Sequence, residues 1–367
     1  MTRPVLYFAI TNHGFGHAVR SAVVAAEVQR LDPDILLVMV TTAPHWLLSS
    51  YISGDFIHRP CALDVGVVQS DSLTVDKPAT LAKLQHLRKR HQRLIEAEVN
   101  FIQQNEVGLL LADTPALASA IAQAADIPGW VMGNFGWDFI YRSWGPDFAD
   151  MGDWFTTCYS QSQHLFRLPM HEAMAAFSEI TDVGLVGDSP RHSLETIRQQ
   201  WSLTAPPERT VLLTFGGLNL KQIPYHNLEH FPDWQFITFD RQAPKLPNLI
   251  PVWDHRYRPV DFMPCCGRVV SKPGFSTFAE ALRLGAPIVS LTRNDFAEVP
   301  LLLDGIQNYG QHQVITPEAF FRGPWEFLHQ PLDPPRRSEK LDPNGHQAIA
   351  TAIVSHFQSA ISPKTWV

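Results

Sequence analysis

The sequence predicts an α/β chain of two doubly wound, Rossmann-like parallel-sheet domains facing a central cleft. Three observations predict it. Short β-branched apolar runs alternate with stretches of helical period along nearly all of the 367 residues. That is the pattern of right-handed βαβ units with helices on both sheet faces. The chain is long for one core, so two domains of about 180 residues each are expected. Finally, two strands, one near the start and one after residue 210, run into glycines, as strand–turn–helix sites at the carboxyl edge of a parallel sheet do.

Taken in order, residues 5–11 read as a strand that breaks into Asn12-His13-Gly14-Phe15-Gly16-His17, and a helix resumes over 17–29. Strands at 35–42, 107–112 and 129–132 alternate with helices at 79–104 and 115–125. The block closes at Val186-Gly187-Asp188-Ser189-Pro190, and a new helix leads to a second block. There the strands are 210–215, 234–239, 268–271 and 288–291, with helices at 276–284, 299–306 and 346–358. The first of these strands ends Phe215-Gly216-Gly217, repeating the opening pattern without its sequence. Proline and charge over 332–343 predict a surface loop. The expected domains are therefore 1–187 and 188–345, with 346–367 a final helix that returns to the first.

Composition excludes several roles. A net charge of −7 argues against nucleic acid as a partner, because a phosphate backbone selects a basic stripe. The basic run Arg88-Lys89-Arg90 with Arg93 alternates with Leu87, Leu94 and Ile95, as on a solvated helix face or a patch for an acidic surface. Cys61, Cys158, Cys265 and Cys266 form no CxxC pair, so neither zinc nor a disulfide framework is expected. Met1-Thr2-Arg3-Pro4 leads into a strand and not a signal peptide. No apolar stretch approaches the ~20 residues of a membrane span, so a cytoplasmic protein with no transmembrane segment is expected.

Two segments carry chemistry. The opening turn holds two histidines, the side chain that titrates nearest neutrality. His13 and His17 have metal-pair spacing, but two intervening glycines predict a loop without a shared face. The second segment is Val270-Ser271-Lys272-Pro273-Gly274-Phe275-Ser276-Thr277, in which a strand ends, Gly274 lets the chain turn and Ser276 or Thr277 caps a helix. Its N–H groups and dipole suit a diphosphate. Glu280, one turn on, suits vicinal hydroxyls such as those of a ribose; by spacing alone it reads as well as a solvated residue behind a plain cap.

Other patterns point away. His226-Asn227-Leu228-Glu229-His230 formally matches an inverted zinc-protease motif, but lies between prolines without a third ligand. Val19 replaces the third glycine of a dinucleotide fingerprint, and the second strand ends Thr41-Thr42 with no acid for a ribose. Gly274-Phe275-Ser276-Thr277-Phe278 lacks the last glycine of a nucleophile elbow. The aromatics Phe135, Trp137, Phe139 and Tyr141 read as packing, with Asp138 a candidate acceptor contact.

Gly274-x-x-Thr277-x-x-Glu280-Ala281-Leu282 followed by Gly285-Ala286-Pro287 resembles the donor signature of GT-B glycosyltransferases of the MurG and UDP-glycosyltransferase kind. Gly16-His17-Ala18 sits where those families carry their glycine–histidine turn. A further likeness is to the glycosyltransferase-like N-terminal domain of the L-arabinokinases. It is carried by His13-Gly14-Phe15-Gly16-His17-Ala18, Asn134-Phe135-Gly136-Trp137-Asp138-Phe139-Ile140-Tyr141 and Arg293-Asn294-Asp295-Phe296-Ala297-Glu298-Val299-Pro300. No kinase portion follows in this sequence, so sugar-kinase activity is not carried over.

The resemblance implies an inverting, metal-independent transferase that moves a sugar from a nucleoside-diphosphate donor, a UDP-sugar first, to a hydroxyl acceptor. No further cofactor is implied. His17 matches the catalytic base and Asp113 the carboxylate that orients it, fixing its tautomer and favouring imidazolium. Gly216, Gly217, Lys272, Gly274, Ser276 and Thr277 would hold the diphosphate, Glu280 the ribose, and Asp295 and Glu298 the donor sugar. His13, Gly14, Gly16, Arg20 and Asp138 would face the acceptor or the cleft, Arg20 bringing a cation where relatives carry proline. Asp295-Phe296-Ala297-Glu298 departs from the usual Asp-Gln, leaving the donor sugar open. A sugar-nucleotide epimerase and a non-catalytic sensor or scaffold are the alternatives.

Overall fold

The computed structural model describes residues 3–69, 74–216 and 223–361, the side chains of 360 and 361 excepted. Gly217, one of the expected phosphate contacts, lies outside these residues. The chain divides into two compact units. The first takes the chain up to Val68, Asp76–Val186 and everything from Asp342 onward; the second is Gly187–Leu341 with Gln69 and Val75.

The first unit contains β1 (Val5–Ile10), α1 (Gly14–Leu31), β2 (Leu36–Val40), α2 (His45–Ser49), β3 (Ile57–Arg59), α3 (Lys77–Gln104), β4 (Val107–Asp113), α4 (Ala116–Ala124) and β5 (Gly129–Gly133). It continues with α5 (Trp137–Arg142), α6 (Ala149–Tyr159), β6 (His164–Arg167) and β7 (Ile180–Asp182). Its seven strands are ordered β3-β2-β1-β4-β5-β6-β7, and each neighbouring pair runs parallel. β1 is buried throughout and β4 at every position but Gly108, and both are apolar through their middles, as strands covered on both faces must be. The order reverses between β1 and β4, so the loops leaving their carboxyl ends diverge to opposite faces and open a crevice there.

The second unit contains α7 (Leu194–Gln200), β8 (Thr210–Thr214), β9 (Gln235–Thr238), β10 (Leu249–Pro251), α8 (Pro259–Phe262), β11 (Arg268–Ser271) and α9 (Phe275–Leu284). β12 (Ile288–Leu291), α10 (Glu298–Tyr309), β13 (His312–Ile315) and α11 (Pro317–Phe321) complete it. Its six strands are ordered β10-β9-β8-β11-β12-β13, again parallel, with the reversal between β8 and β11. Val211, Leu213, Val270, Val289 and Leu291 pack against Phe320 and Trp325 in its core. The two doubly wound parallel sheets bear out the fold class read from the sequence.

The last helix, α12 (Gly345–Ile361), belongs to the first unit. The chain re-enters at Asp342, whose carbonyl accepts from Leu185 N at 2.7 Å, and Gly345 N donates to the Leu185 carbonyl at 3.1 Å. Gly184 and Gly345 approach too closely for a Cβ on Gly345, which explains a glycine there. Ile349, Ala350, Ile353, Val354 and Phe357 form the buried face of α12, and the Phe357 ring lies against Gly108 on β4.

Candidate active site

The opening turn differs from the expected loop. Helix α1 begins at Gly14, which has φ +73°, and His13 occupies its N-cap position. His17 therefore lies in the first helical turn, and the His13 and His17 rings come together edge-on with centroids 6.5 Å apart. The expectation of no shared side is thus overturned: one turn of helix stacks residues four apart.

Parallel pairing brings Asp113 to this turn. Ile10 is opposite Asp113 in the β1–β4 register, and Thr11 N donates to the Asp113 carbonyl at 3.2 Å. Asp113 Oδ1 lies 2.9 Å from His17 Nδ1, joining residues 96 apart in sequence. Arg20, one turn beyond His17 on α1, donates through Nε to Asp113 Oδ2 at 2.7 Å and through Nη2 to Oδ1 at 2.5 Å. Its Nη1 donates to Asn134 Oδ1 at 2.9 Å. Ser21 and Thr114 hydroxyls also donate to the Asp113 carboxylate, each at 2.9 Å. Arg20, expected to bring a cation to the cleft, is instead 1% exposed and spent on Asp113 and Asn134.

The electrostatics follow from this network. Burial alone would raise the Asp113 carboxyl, but the Arg20 and His17 charges and their hydrogen bonds hold it well below the usual carboxylate range. His17 is lowered from its ordinary value by burial first and by the Arg20 charge second, and Asp113 only partly opposes them. The carboxylate was expected to favour imidazolium; with Arg20 in place the balance goes the other way. Nε2 of His17 has no hydrogen-bond partner among the described residues.

Thr114 carries backbone strain, with φ +79° in a region that β-branched residues rarely occupy. Tyr159 holds it there, its hydroxyl donating to the Thr114 carbonyl at 2.5 Å and accepting from Trp137 N at 3.1 Å. Asp64 is a group the sequence reading missed. Burial raises its carboxyl to about 6; Oδ2 accepts from Trp137 Nε1 at 2.9 Å and Oδ1 from Asn12 N at 3.4 Å. Trp137 in turn meets the His13 ring edge-on at 5.3 Å. Asp138 braces α5 against α6, accepting from Thr156 Oγ1 at 2.8 Å and Arg142 Nη1 at 3.2 Å.

In the second unit the candidate residues gather at the β8–β11 reversal. Gly216 leaves β8 with φ +72°, and a Cβ there would lie 3.8 Å from Lys272 Cε. Gly274 is the N-cap of α9 and, as a glycine, brings no side chain of its own to that end, so Ser276 and Thr277 lie inside the first turn and not at the cap. Lys272 is lowered to about 8 by burial first and by Arg293 second, with Glu298 opposing. Glu298 is buried at the start of α10, whereas Asp295 is exposed with φ +61°.

Glu280 is 4% exposed, which removes the reading of a solvated residue behind a cap. A Cβ on Gly187 would sit 2.9 Å from Glu280 Cγ, so the Gly187–Asp188 segment covers this side chain. Burial raises its carboxyl to about 8 against the pull of Arg258, and Oε1 has no partner among the described residues. The folded state therefore holds a proton that the unfolded chain loses above its ordinary value of 4.5. Stability from this group is fully present below pH 4.5 and is lost as pH rises towards about 8. Glu280→Gln is expected to flatten that part of the stability–pH curve, read by denaturant unfolding at a series of pH values; an unchanged slope would contradict it.

Among the described residues no group of three or more His, Cys, Asp or Glu converges as a metal site, and His226, Glu229 and His230 fall on one short 3₁₀ segment. No described helix is long and apolar enough to cross a membrane.

No protein-family model matches the chain. It is 29% identical over 317 residues to L-arabinokinase of Arabidopsis thaliana, which covers 83% of this chain but 30% of that protein. The chain thus spans under a third of the length of the curated relative it matches. Among solved structures, UGT2 of Phytolacca americana, complexed with UDP-2-fluoro-glucose and pterostilbene, has a TM-score of 0.59 at 13% identity, covering 99% of this chain and 96% of that one. A Listeria monocytogenes chain assigned as a UDP-N-acetylglucosamine 2-epimerase has a TM-score of 0.56 at 12% identity, covering 100% of both. The two switch-point sheets and these structural likenesses establish that the chain has the GT-B fold and is similar in sequence to L-arabinokinase.

Proposed function

We propose that the protein is an inverting glycosyltransferase that moves a sugar from a nucleoside diphosphate, a UDP-sugar first, to a hydroxyl acceptor without a metal. The observation that carries this reading is the buried His17–Asp113 contact at the β1–β4 switch point. His17 Nε2 takes the acceptor proton as its oxygen attacks the anomeric carbon from the face opposite the departing diphosphate. The configuration at that carbon inverts, and the C–O bond to the diphosphate breaks with its electrons on the leaving oxygen.

The second unit supplies the donor site. The start of α9 turns a positive dipole end to the diphosphate, and Lys272 adds a cation beside Gly216. Gly217 would extend this contact. Glu280 is assigned to the ribose hydroxyls, a reading supported by an Oε1 that lacks a partner among the described residues. Asp295 and Glu298 are assigned to the sugar. His13, Gly14 and Gly16 line the turn that carries His17, and Asp138 supports α5 behind it.

UDP and UDP-sugars at about 100 times their Kd should stabilise the protein by about 2.7 kcal/mol, read as a thermal shift. No shift from any nucleoside diphosphate at millimolar concentration would remove the donor site. Turnover should persist in EDTA and give the inverted anomer. Conversion of the donor sugar without an acceptor would select the epimerase reading, which the Listeria likeness keeps in view.

A further inference from the structure

We infer that Arg20 is a positioning residue for His17: by taking both oxygens of Asp113 it leaves the imidazole neutral, with Nδ1–H donating to Asp113 and Nε2 unprotonated. The inference rests on the proposed reaction only for what neutral His17 then does.

His17 Nδ1 has three polar neighbours: Asp113 Oδ1 at 2.9 Å, Arg20 Nη2 at 3.0 Å and Thr114 Oγ1 at 3.1 Å. A carboxylate only accepts and a guanidinium only donates, so the three ask for opposite protonation of the same nitrogen. The hydrogens already committed resolve the conflict. Of the two Arg20 Nη2 hydrogens, one goes to Asp113 Oδ1 at 2.5 Å and the other reaches Thr114 Oγ1 at 3.5 Å, while the Thr114 hydroxyl donates to Asp113 Oδ1 at 2.9 Å. With its hydrogen on Asp113, the Thr114 oxygen presents lone pairs to Nδ1. An Nδ1–H then meets two acceptors, whereas a bare Nδ1 would set its lone pair against a carboxylate. The proton belongs on Nδ1, and the lone pair on Nε2.

Charge balance sets the second protonation. Arg20 and Asp113 are 1% and 0% exposed and together are neutral. An imidazolium added beside them would place a second buried cation 3.0 Å from the guanidinium. In a plain histidine–carboxylate pair the anion is unshared and stabilises that imidazolium. Here Arg20 has taken it. The remaining polar groups around His17 do not alter this balance. His13 meets it from the N-cap edge-on at 6.5 Å, Asp64 interacts with Asp113 and is not among the charges that shift His17, and Asn134 from the loop after β5 is neutral and holds Arg20. The consequence is a base that stays unprotonated into mildly acidic conditions.

The test is histidine titration by NMR on the full chain, with His17 resonances assigned by their loss in His17→Ala. The wild type should show the Nδ1–H tautomer and a midpoint below 6.5. Arg20→Gln, which keeps a donor for Asp113 but removes the charge, should raise that midpoint by one unit or more, a tenfold change in the protonation equilibrium. Arg20→Lys keeps the charge and should keep the midpoint low. A wild-type midpoint at or above 6.5, an Nε2–H tautomer, or an unmoved midpoint in Arg20→Gln overturns the inference. Where Arg20→Gln does not fold, the wild-type midpoint and tautomer decide. If turnover in His17→Ala equals wild type, the proposed reaction fails while this titration result stands.

Discussion

Replacing His17 by alanine is expected to lower turnover by about 10²- to 10⁴-fold, the range of general-base catalysis, while UDP still produces its thermal shift. The two readouts separate because His17, the proposed base, belongs to the first unit and the proposed donor residues to the second. The loss should appear in kcat more than in KM, since proton removal is an interaction made at the transition state. The residual rate should lose the acid limb of its pH profile, because the group that titrates there is gone. That limb in the wild type should lie below pH 6.5, in the direction set by burial and Arg20. Equal turnover in wild type and variant would leave the fold intact and remove His17 as the base.

The second large effect is on stability. Arg20→Met is expected to cost about 3–5 kcal/mol, the usual result of removing one partner from a buried ion pair. The cost arises from what remains: Asp113, fully buried, keeps hydrogen bonds from Ser21 and Thr114 but loses its bidentate cation. Asp113→Leu alone should cost a similar amount by stranding Arg20. The paired change Arg20→Met with Asp113→Leu should cost clearly less than the two single changes added together, because neither charge is then left behind. Chemical denaturation of the four proteins measures this coupling. A paired cost equal to the sum would mean that Arg20 and Asp113 act independently, contrary to their geometry.

Much of the fold was legible because both sheets are parallel and buried. β1, β4, β8, β11 and β12 are near-continuous apolar runs, and strands covered on both faces must be. The strands that escaped notice, β3, β6, β7, β10 and β13, are three or four residues long and lie at or beside sheet edges, where too few side chains are buried to make a pattern. α5 and α6 were hidden in aromatic sequence that carries no clear period. At the site, His17 and Asp113 were legible through the glycine turn and the strand end, and Glu280 through its place one turn into α9. Asp64 was not. It is a lone carboxylate between Leu63 and Val65, and only the approach of Trp137 and Asn12 marks it out.

The sequence by itself determined the α/β class, the paired glycine turns and the residue types that meet there, because local period and chain breaks are written in neighbouring residues. Tertiary structure decided the charge on the site. Arg20 is one turn from His17 along α1, yet what it does depends on Asp113, 93 residues away, and Asn134, 114 away. Parallel register brings those groups within hydrogen-bond distance, and burial removes the water that would screen them. A histidine read from sequence as a partner of one carboxylate thus becomes, in three dimensions, one member of a buried network with Asp113, Arg20, Thr114, Ser21 and Asn134.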